Sequence, residues 1–236
     1  MREIDISIST IARPENYLDI TLRSLGSDIP VNLIVGSTSM SYLDIYRRSK
    51  QHTIVYATEF DWANVHNMPI RQRASWNYWR CLTSNIKHNN GAIIFEDDIN
   101  AAKGWRTRLD KTIESIENIY GMDYVLALYS HCARDSYKQG LFFENYIVRD
   151  FFGTPGMYFT EKTRIGYADY IRKFGVETCR RPYDLLIKHY LVENDIRLFA
   201  TTPSLVQHIG ISSTGLSEIF YQAPSFLEDV TSLPER

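Results

Sequence analysis

Residues 4–11, IDISISTI, alternate apolar β-branched positions with Asp and Ser, the period-2 pattern of a strand with one face more deeply buried. After Ala12-Arg13-Pro14-Glu15, the run YLDITLRSL sets Leu18, Leu22 and Leu25 on one helical face and stops at Gly26. VNLIVG (31–36) and TIVYA (53–57) read as short buried strands, with SYLDIYRRSK between them as a helix or turn. Residues 70–88, IRQRASWNYWRCLTSNIKH, contain no Pro or Gly and predict one long helix. That helix feeds GAIIFEDDIN, four apolar residues followed by three consecutive carboxylates.

An amphipathic helix is predicted from Gly104 to about Tyr120, then a buried strand in DYVLALYS (123–130). Residues 131–150 show no clear period, and DFFGTPGMYFT (150–160) reads as a strand interrupted by a Gly-Thr-Pro-Gly turn. Helices near 161–174 and in RPYDLLIKHYLVEN precede a strand in IRLFATT, and the tail from Gln207 reads as loop. Alternating strands and helices predict an α/β fold: a mostly parallel, Rossmann-like central sheet flanked by helices. Without an internal repeat, low-complexity run or linker, residues 1–236 are expected to form one domain.

Composition narrows the field. At 44% hydrophobic and 23% charged residues, the 236-residue chain has the make-up of a globular protein, not a disordered one. Its 26 basic and 28 acidic residues give a net charge of -2, so no global field gathers it onto nucleic acid or an anionic membrane. Cys81, Cys132 and Cys179 lie far apart without a CxxC pair, which suggests neither zinc nor a disulfide framework and fits a reducing, cytoplasmic setting. The N-terminus has no charged leader before an apolar run, and no window approaches the ~20 apolar residues of a membrane span.

Glu96, Asp97 and Asp98 carry the most information. In open α/β sheets ligands bind beyond the carboxyl ends of strands, where this cluster falls. Adjacent carboxylates repel unless a cation neutralises them, and hard oxygens suit Mg²⁺ or Mn²⁺; a solvated acidic turn is the plain alternative. His208, between a strand and a Gly/Ser loop, is either a further ligand or a structural histidine. Asp184 opens a helix, where a first-turn acid interacts with the helix dipole. Arg13 follows the first strand and can meet a diphosphate or cap its own loop. Arg73 and Asn77, four apart on one helix face, can reach a nucleotide or brace the acidic loop. Trp62, Trp76, Trp79 and Trp105 are stacking platforms or core.

Four segments, in order, resemble the N-acetylglucosaminyltransferase IV family of GT-A-fold glycosyltransferases. RASWNYWRCL followed by GAIIFEDDIN is similar to that family's helix and acidic metal-binding strand. RPYDLLIKHYL is similar to its Pro-x-Asp-x-Leu-Leu segment, and PSLVQHIGISST to its Pro-Ser-Leu-x-Gln-His-x-Gly-x-x-Ser-Ser stretch. The GTPGMYF region corresponds loosely. The similarity covers about residues 70–215 and lacks the anchor and C-terminal module usual in that family, so fold and chemistry carry over better than substrate.

The resemblance implies a GT-A-like fold, residues 1–100 binding a nucleotide-sugar donor and 101–236 the acceptor. It implies an inverting transfer of GlcNAc or another hexose from a UDP-sugar to a hydroxyl, with a glycan as acceptor. Asp98 and His208 would hold Mn²⁺ or Mg²⁺, and Asp184 would be the base. Thr10, Arg13, Arg73, Asn77, Glu96 and Asp97 would serve the donor; Gly153, Thr154 and Gly156 the acceptor. Two rivals remain. One is a phage-type transferase acting on a hydroxymethylated DNA base, with Arg47-Arg48-Lys50, Arg71-Arg73 and Arg180-Arg181 tracking phosphates. The other is a metal-dependent hydrolase built on the same carboxylates and His208.

Overall fold

Ile4, Ile6 and Ile8 turn together into one apolar layer with Leu18, Leu22 and Leu25, as the two periods require. Ile4 directly precedes strand β1 (Asp5–Thr10), which holds Ile6 and Ile8, and the leucines belong to helix α1 (Tyr17–Leu25) of a computed structural model that describes residues 2–11, 17–37, 52–132, 136–211 and 222–233. Strands β2 (Val31–Val35) and β3 (His52–Val55) follow, then helices α2 (Glu59–Val65) and α3 (Ile70–Thr83). Strands β4 (Ala92–Glu96) and β5 (Ile99–Ala101), helix α4 (Trp105–Tyr120) and strand β6 (Tyr124–Ala127) form the middle. Strands β7 (Phe143–Asn145) and β8 (Gly156–Phe159), helices α5 (Glu161–Ile171) and α6 (Tyr183–Glu193), and strands β9 (Arg197–Thr201) and β10 (Val206–His208) complete the described elements.

Eight strands make one sheet in the order β3-β2-β1-β4-β8-β6-β9-β7. Parallel pairing of β1 with β2 and β4, of β2 with β3 and of β6 with β9 sets six strands in one direction. β8 and β7 run against their neighbours, so the sheet is mixed although mainly parallel. α1 and α4 pack on one face with Trp105, Leu109, Ile113 and Ile116. α3, α5 and α6 cover the other through Tyr78, Cys81, Leu82, Tyr167, Ile187 and Leu191. Covered on both sides, β4 reads as a continuous apolar run: Ala92, Ile93, Ile94 and Phe95 have no exposed surface.

Several boundaries differ from the sequence expectation. The helix predicted over 70–88 ends at Thr83, because Ser84 is extended and Asn85 takes a left-handed φ of 56°, its side chain donating to Asn32. The helix predicted to 174 changes to a π-helical turn over Arg172–Glu177, where Gly175 passes so close to Ser75 and Leu186 that a Cβ would meet both at 2.9 Å. The strand expected over 150–160 pairs only from Gly156. Gln207 and His208, expected in a loop, lie in β10, which pairs with β5 as an antiparallel ribbon. Residues 41–50 lie outside the described residues.

Candidate functional site

β1 pairs with β2 on one side and β4 on the other, so the strand order reverses there, and in open α/β sheets ligands bind beyond the carboxyl ends of strands at such a reversal. β1 ends in Thr10 and β4 in Glu96, with Asp97 and Asp98 directly after it. Asp97 and Asp98 form the bend between β4 and β5, and their side chains go to different partners, Asp97 to the end of β1 and Asp98 to His208.

Asp97 turns inward. It is 2% exposed, and its Oδ2 accepts the Thr10 hydroxyl at 2.7 Å and the Ile11 N–H at 3.4 Å. The buried Thr21 hydroxyl lies 2.9 Å from the Asp97 carbonyl and accepts the Ile99 N–H at 3.0 Å, tying the acidic turn to α1. Thr10 and Asp97, both assigned to the donor from sequence, thus meet each other as a clasp between β1 and β4.

Asp98 faces the other way. The ribbon sets His208 opposite Ile99, and the Ile209 N–H donates to the Asp98 carbonyl at 2.9 Å. These contacts bring His208 Nε2 to 3.3 Å from Asp98 Oδ2, with the Asp98 side chain 6% and the His208 side chain 21% exposed. Gly210 comes so close behind that a Cβ there would lie 2.1 Å from Asp98 Oδ2. One donor atom each from Glu96, Asp98 and His208 falls within a 4.8 Å span. Two carboxylates and an imidazole at that spacing fit Mn²⁺ or Mg²⁺, and Glu96 joins as a candidate ligand that sequence reasoning had placed with the donor.

Glu96 is held from two distant segments. Thr154 Oγ1 and the Tyr183 hydroxyl each donate to Glu96 Oε1 at 2.9 Å, and the Glu96 N–H donates to the Pro155 carbonyl. The enclosure of its carboxylate, with the charge of Asp98 second, raises the Glu96 pKa; His208 and the two hydroxyls oppose that rise. Of the turn assigned to the acceptor, Thr154 is therefore engaged with Glu96. Gly156 is packed inside, where a Cβ would meet Phe95 at 3.0 Å and Val206 at 3.1 Å. Gly153, half-buried at a φ of 74°, makes the turn possible.

Asp184 sits in the first turn of α6, next to Tyr183. Burial raises its pKa, and the backbone N–H groups of Leu185 and Asp184, with the charges of Lys188 and Arg71, pull it partly back. Arg73 is half-buried in the first turn of α3 and makes no ion pair among the described residues. Asn77 braces the sheet: its Nδ2 donates to Ser9 Oγ at 2.8 Å and to the Ile34 carbonyl, and its Oδ1 accepts from Arg80. Arg13 lies outside the described residues, as do Arg47, Arg48 and Lys50. The Arg71-Arg73 turn abuts the segment leading to Arg180-Arg181, because Gln72 Nε2 donates to the Val176 carbonyl. Trp76 and Trp105 are core, Trp79 packs partly against it, and the Trp62 side chain is outside those described. No described helix is long and apolar enough to cross a membrane.

No protein-family model matches the chain, and no curated protein matches it. Among solved structures it is similar to the galactosyltransferase LgtC in complex with donor and acceptor sugar analogs, at 11% identity and TM-score 0.47, over 79% of this chain and 70% of that one. It is also similar to the glycosyltransferase GlyE of Streptococcus pneumoniae TIGR4, at 10% identity and TM-score 0.45; the match covers 83% of this chain but only 44% of that one. A third similar structure is the 4-diphosphocytidyl-2C-methyl-D-erythritol synthase of Anaerococcus prevotii DSM 20548, at 12% identity and TM-score 0.47, over 89% and 92%. All three scores lie below 0.5, and none of these activities is transferred to this chain.

Proposed function

We propose that the protein is a cation-dependent inverting glycosyltransferase that moves a sugar, GlcNAc or another hexose, from a UDP-sugar to an acceptor hydroxyl on a glycan. The observation that carries this reading is the meeting of Glu96, Asp98 and His208 at the point where strand order reverses. The four segments resembling the N-acetylglucosaminyltransferase IV family support it, since the acidic, Pro-Tyr-Asp and Gln-His-Ile-Gly segments are those that meet here.

Leaving-group departure builds negative charge on the nucleoside diphosphate. A bound Mn²⁺ or Mg²⁺ supplies Lewis-acid stabilisation of that charge, and Glu96, Asp98 and His208 are the residues that would hold it. Arg73 offers a guanidinium to a phosphate oxygen. Thr10, Asp97 and Asn77 serve the donor by fixing the ends of β1 and β4. Asp184 takes the acceptor hydroxyl's proton as that oxygen bonds to the anomeric carbon and the carbon–diphosphate bond breaks. Attack opposite the leaving group inverts the anomeric centre, and the raised pKa of Asp184 makes it a better base than an exposed aspartate.

The test is UDP release from a panel of UDP-sugars with Mn²⁺ or with EDTA, together with NMR of the anomeric coupling in the product. Expected are turnover with Mn²⁺, its loss in EDTA and an inverted product. Full activity in EDTA removes the cation, and retained configuration removes the single base. Release of inorganic diphosphate from a nucleoside triphosphate, without sugar transfer, replaces the reading with nucleotidyl transfer.

A further inference from the structure

The Glu96 carboxylate is held by two side chains from far along the sequence. Thr154 lies 58 residues away and Tyr183 lies 87, yet both hydroxyls converge on the same oxygen, Oε1, at 2.9 Å. Two donors fill the two lone pairs of that oxygen, so Oε2 keeps lone pairs to give. The Tyr183 ring is itself fixed: it stacks on Tyr78 at 4.6 Å between centroids and 25° between planes, and Tyr78 is 1% exposed. Thr154 is also 1% exposed, in the turn that enters β8 beside β4. The hydroxyls therefore belong to rigid parts of the fold.

We infer that Tyr183 and Thr154 are positioning residues for the cation: they orient Glu96 so that its second oxygen faces the space shared with Asp98 and His208. Tyr183 has a further consequence. It precedes Asp184 in the first turn of α6, so the same hydrogen bond ties the proposed base to the proposed cation site. The inference rests on the cation-site reading above and adds residues that no ligand motif would single out.

The test reads metal binding directly, without turnover: free Mn²⁺ is measured by electron paramagnetic resonance as it is titrated with protein. Loss of a hydrogen-bond partner of a metal ligand lowers affinity by about 10- to 100-fold. Tyr183→Phe, which keeps the stacked ring, and Thr154→Val, which keeps the shape, are each expected to weaken Mn²⁺ binding by about 10-fold. Thr154→Ser, which keeps the hydroxyl, should restore binding, a rescue that a purely structural role does not predict. Tyr170→Phe removes a hydroxyl that meets Glu193 elsewhere and should bind as wild type. Circular dichroism of each variant separates lost ligation from lost fold. If wild type binds Mn²⁺, Asp98→Ala does not, and Tyr183→Phe and Thr154→Val both bind as wild type, the positioning role is overturned and the cation site stands. If wild type and Asp98→Ala bind Mn²⁺ equally poorly, both are overturned.

Discussion

Replacing Gly210 by alanine puts a methyl group where the structure has no room for one. The ideal Cβ would lie 2.1 Å from Asp98 Oδ2, 2.8 Å from its Cγ and 3.0 Å from its Cβ. Ordinary contact begins at about 3.5 Å, so Oδ2 must retreat by about 1.4 Å, or the Ile209-Gly210 backbone must move by as much. The first shift spoils Asp98, and the second pulls on His208, two residues earlier in the same strand and loop. Gly210 does not occupy the left-handed region, so alanine brings no backbone strain and the substitution probes this contact alone. A misplacement of about 1 Å in a reacting assembly costs on the order of 10²-fold. Gly210→Ala should therefore lose about 100-fold in Mn²⁺-dependent UDP release and weaken Mn²⁺ binding. Its thermal midpoint should fall by only a few degrees. Wild-type Mn²⁺ affinity and turnover in Gly210→Ala would refute the claim that Asp98 must stay where it is for the site to work.

Asp184→Asn preserves size but cannot accept a proton, so donor binding should persist while transfer falls by about 10²–10⁴-fold in steady-state assays. Because a base acts only when ionised and burial raises the Asp184 pKa, wild-type activity should fall with dropping pH at a higher pH than an ordinary aspartate would set. The same shift has a stability consequence of known sign: the folded state holds this proton more tightly than the unfolded chain, so ionisation disfavours the fold as pH rises. Asp184→Asn should gain thermal stability over wild type near pH 8, and the gain should vanish below about pH 3.9, where the unfolded carboxyl is protonated; a gain that persists there would refute it. Arg80, 6% exposed, donates to the carbonyls of Val35, Val55 and Tyr56 at the ends of β2 and β3. Arg80→Met should cost about 3 kcal/mol in urea unfolding, since it orphans three partly buried carbonyls, and a loss under about 1 kcal/mol would show that water replaces the guanidinium.

The layers of this fold were legible where both faces of an element are covered. AIIF has to be buried on both sides, and Leu18, Leu22 and Leu25 have to face a sheet, so β4 and α1 followed from pattern alone. β7 did not, because a three-residue edge strand pairs on one side and carries half-buried Phe143 and Glu144 that show no period. α2 carried a signal in principle: the Asp61 N–H is capped by the Thr58 hydroxyl, which in turn donates to the Asp61 carboxylate, a reciprocal start that the spacing T-x-x-D announces.

The same distinction runs through the site. The carboxylate cluster was legible as the end of an apolar strand, but Asp97 and Asp98 lie in a bend, so only the structure shows that Thr10 donates to Asp97 while Asp98 turns to His208. The partner of Asp98 could be named from the Gln-His-Ile-Gly segment, but its delivery depends on a ribbon of three residue pairs, too short to leave a pattern. The hold on Glu96 depends on two facts of topology: β8 inserts antiparallel beside β4, and α6 begins at the same edge of the sheet. Neither is written in local sequence, since a threonine in a Gly-Pro turn and a tyrosine after a proline are each explained by the turn or helix start they occupy. What distinguishes them is convergence on one oxygen. Their substitution should therefore be read in cation affinity first and in stability second, whereas at Asp97, clasped between two strands, the order should reverse.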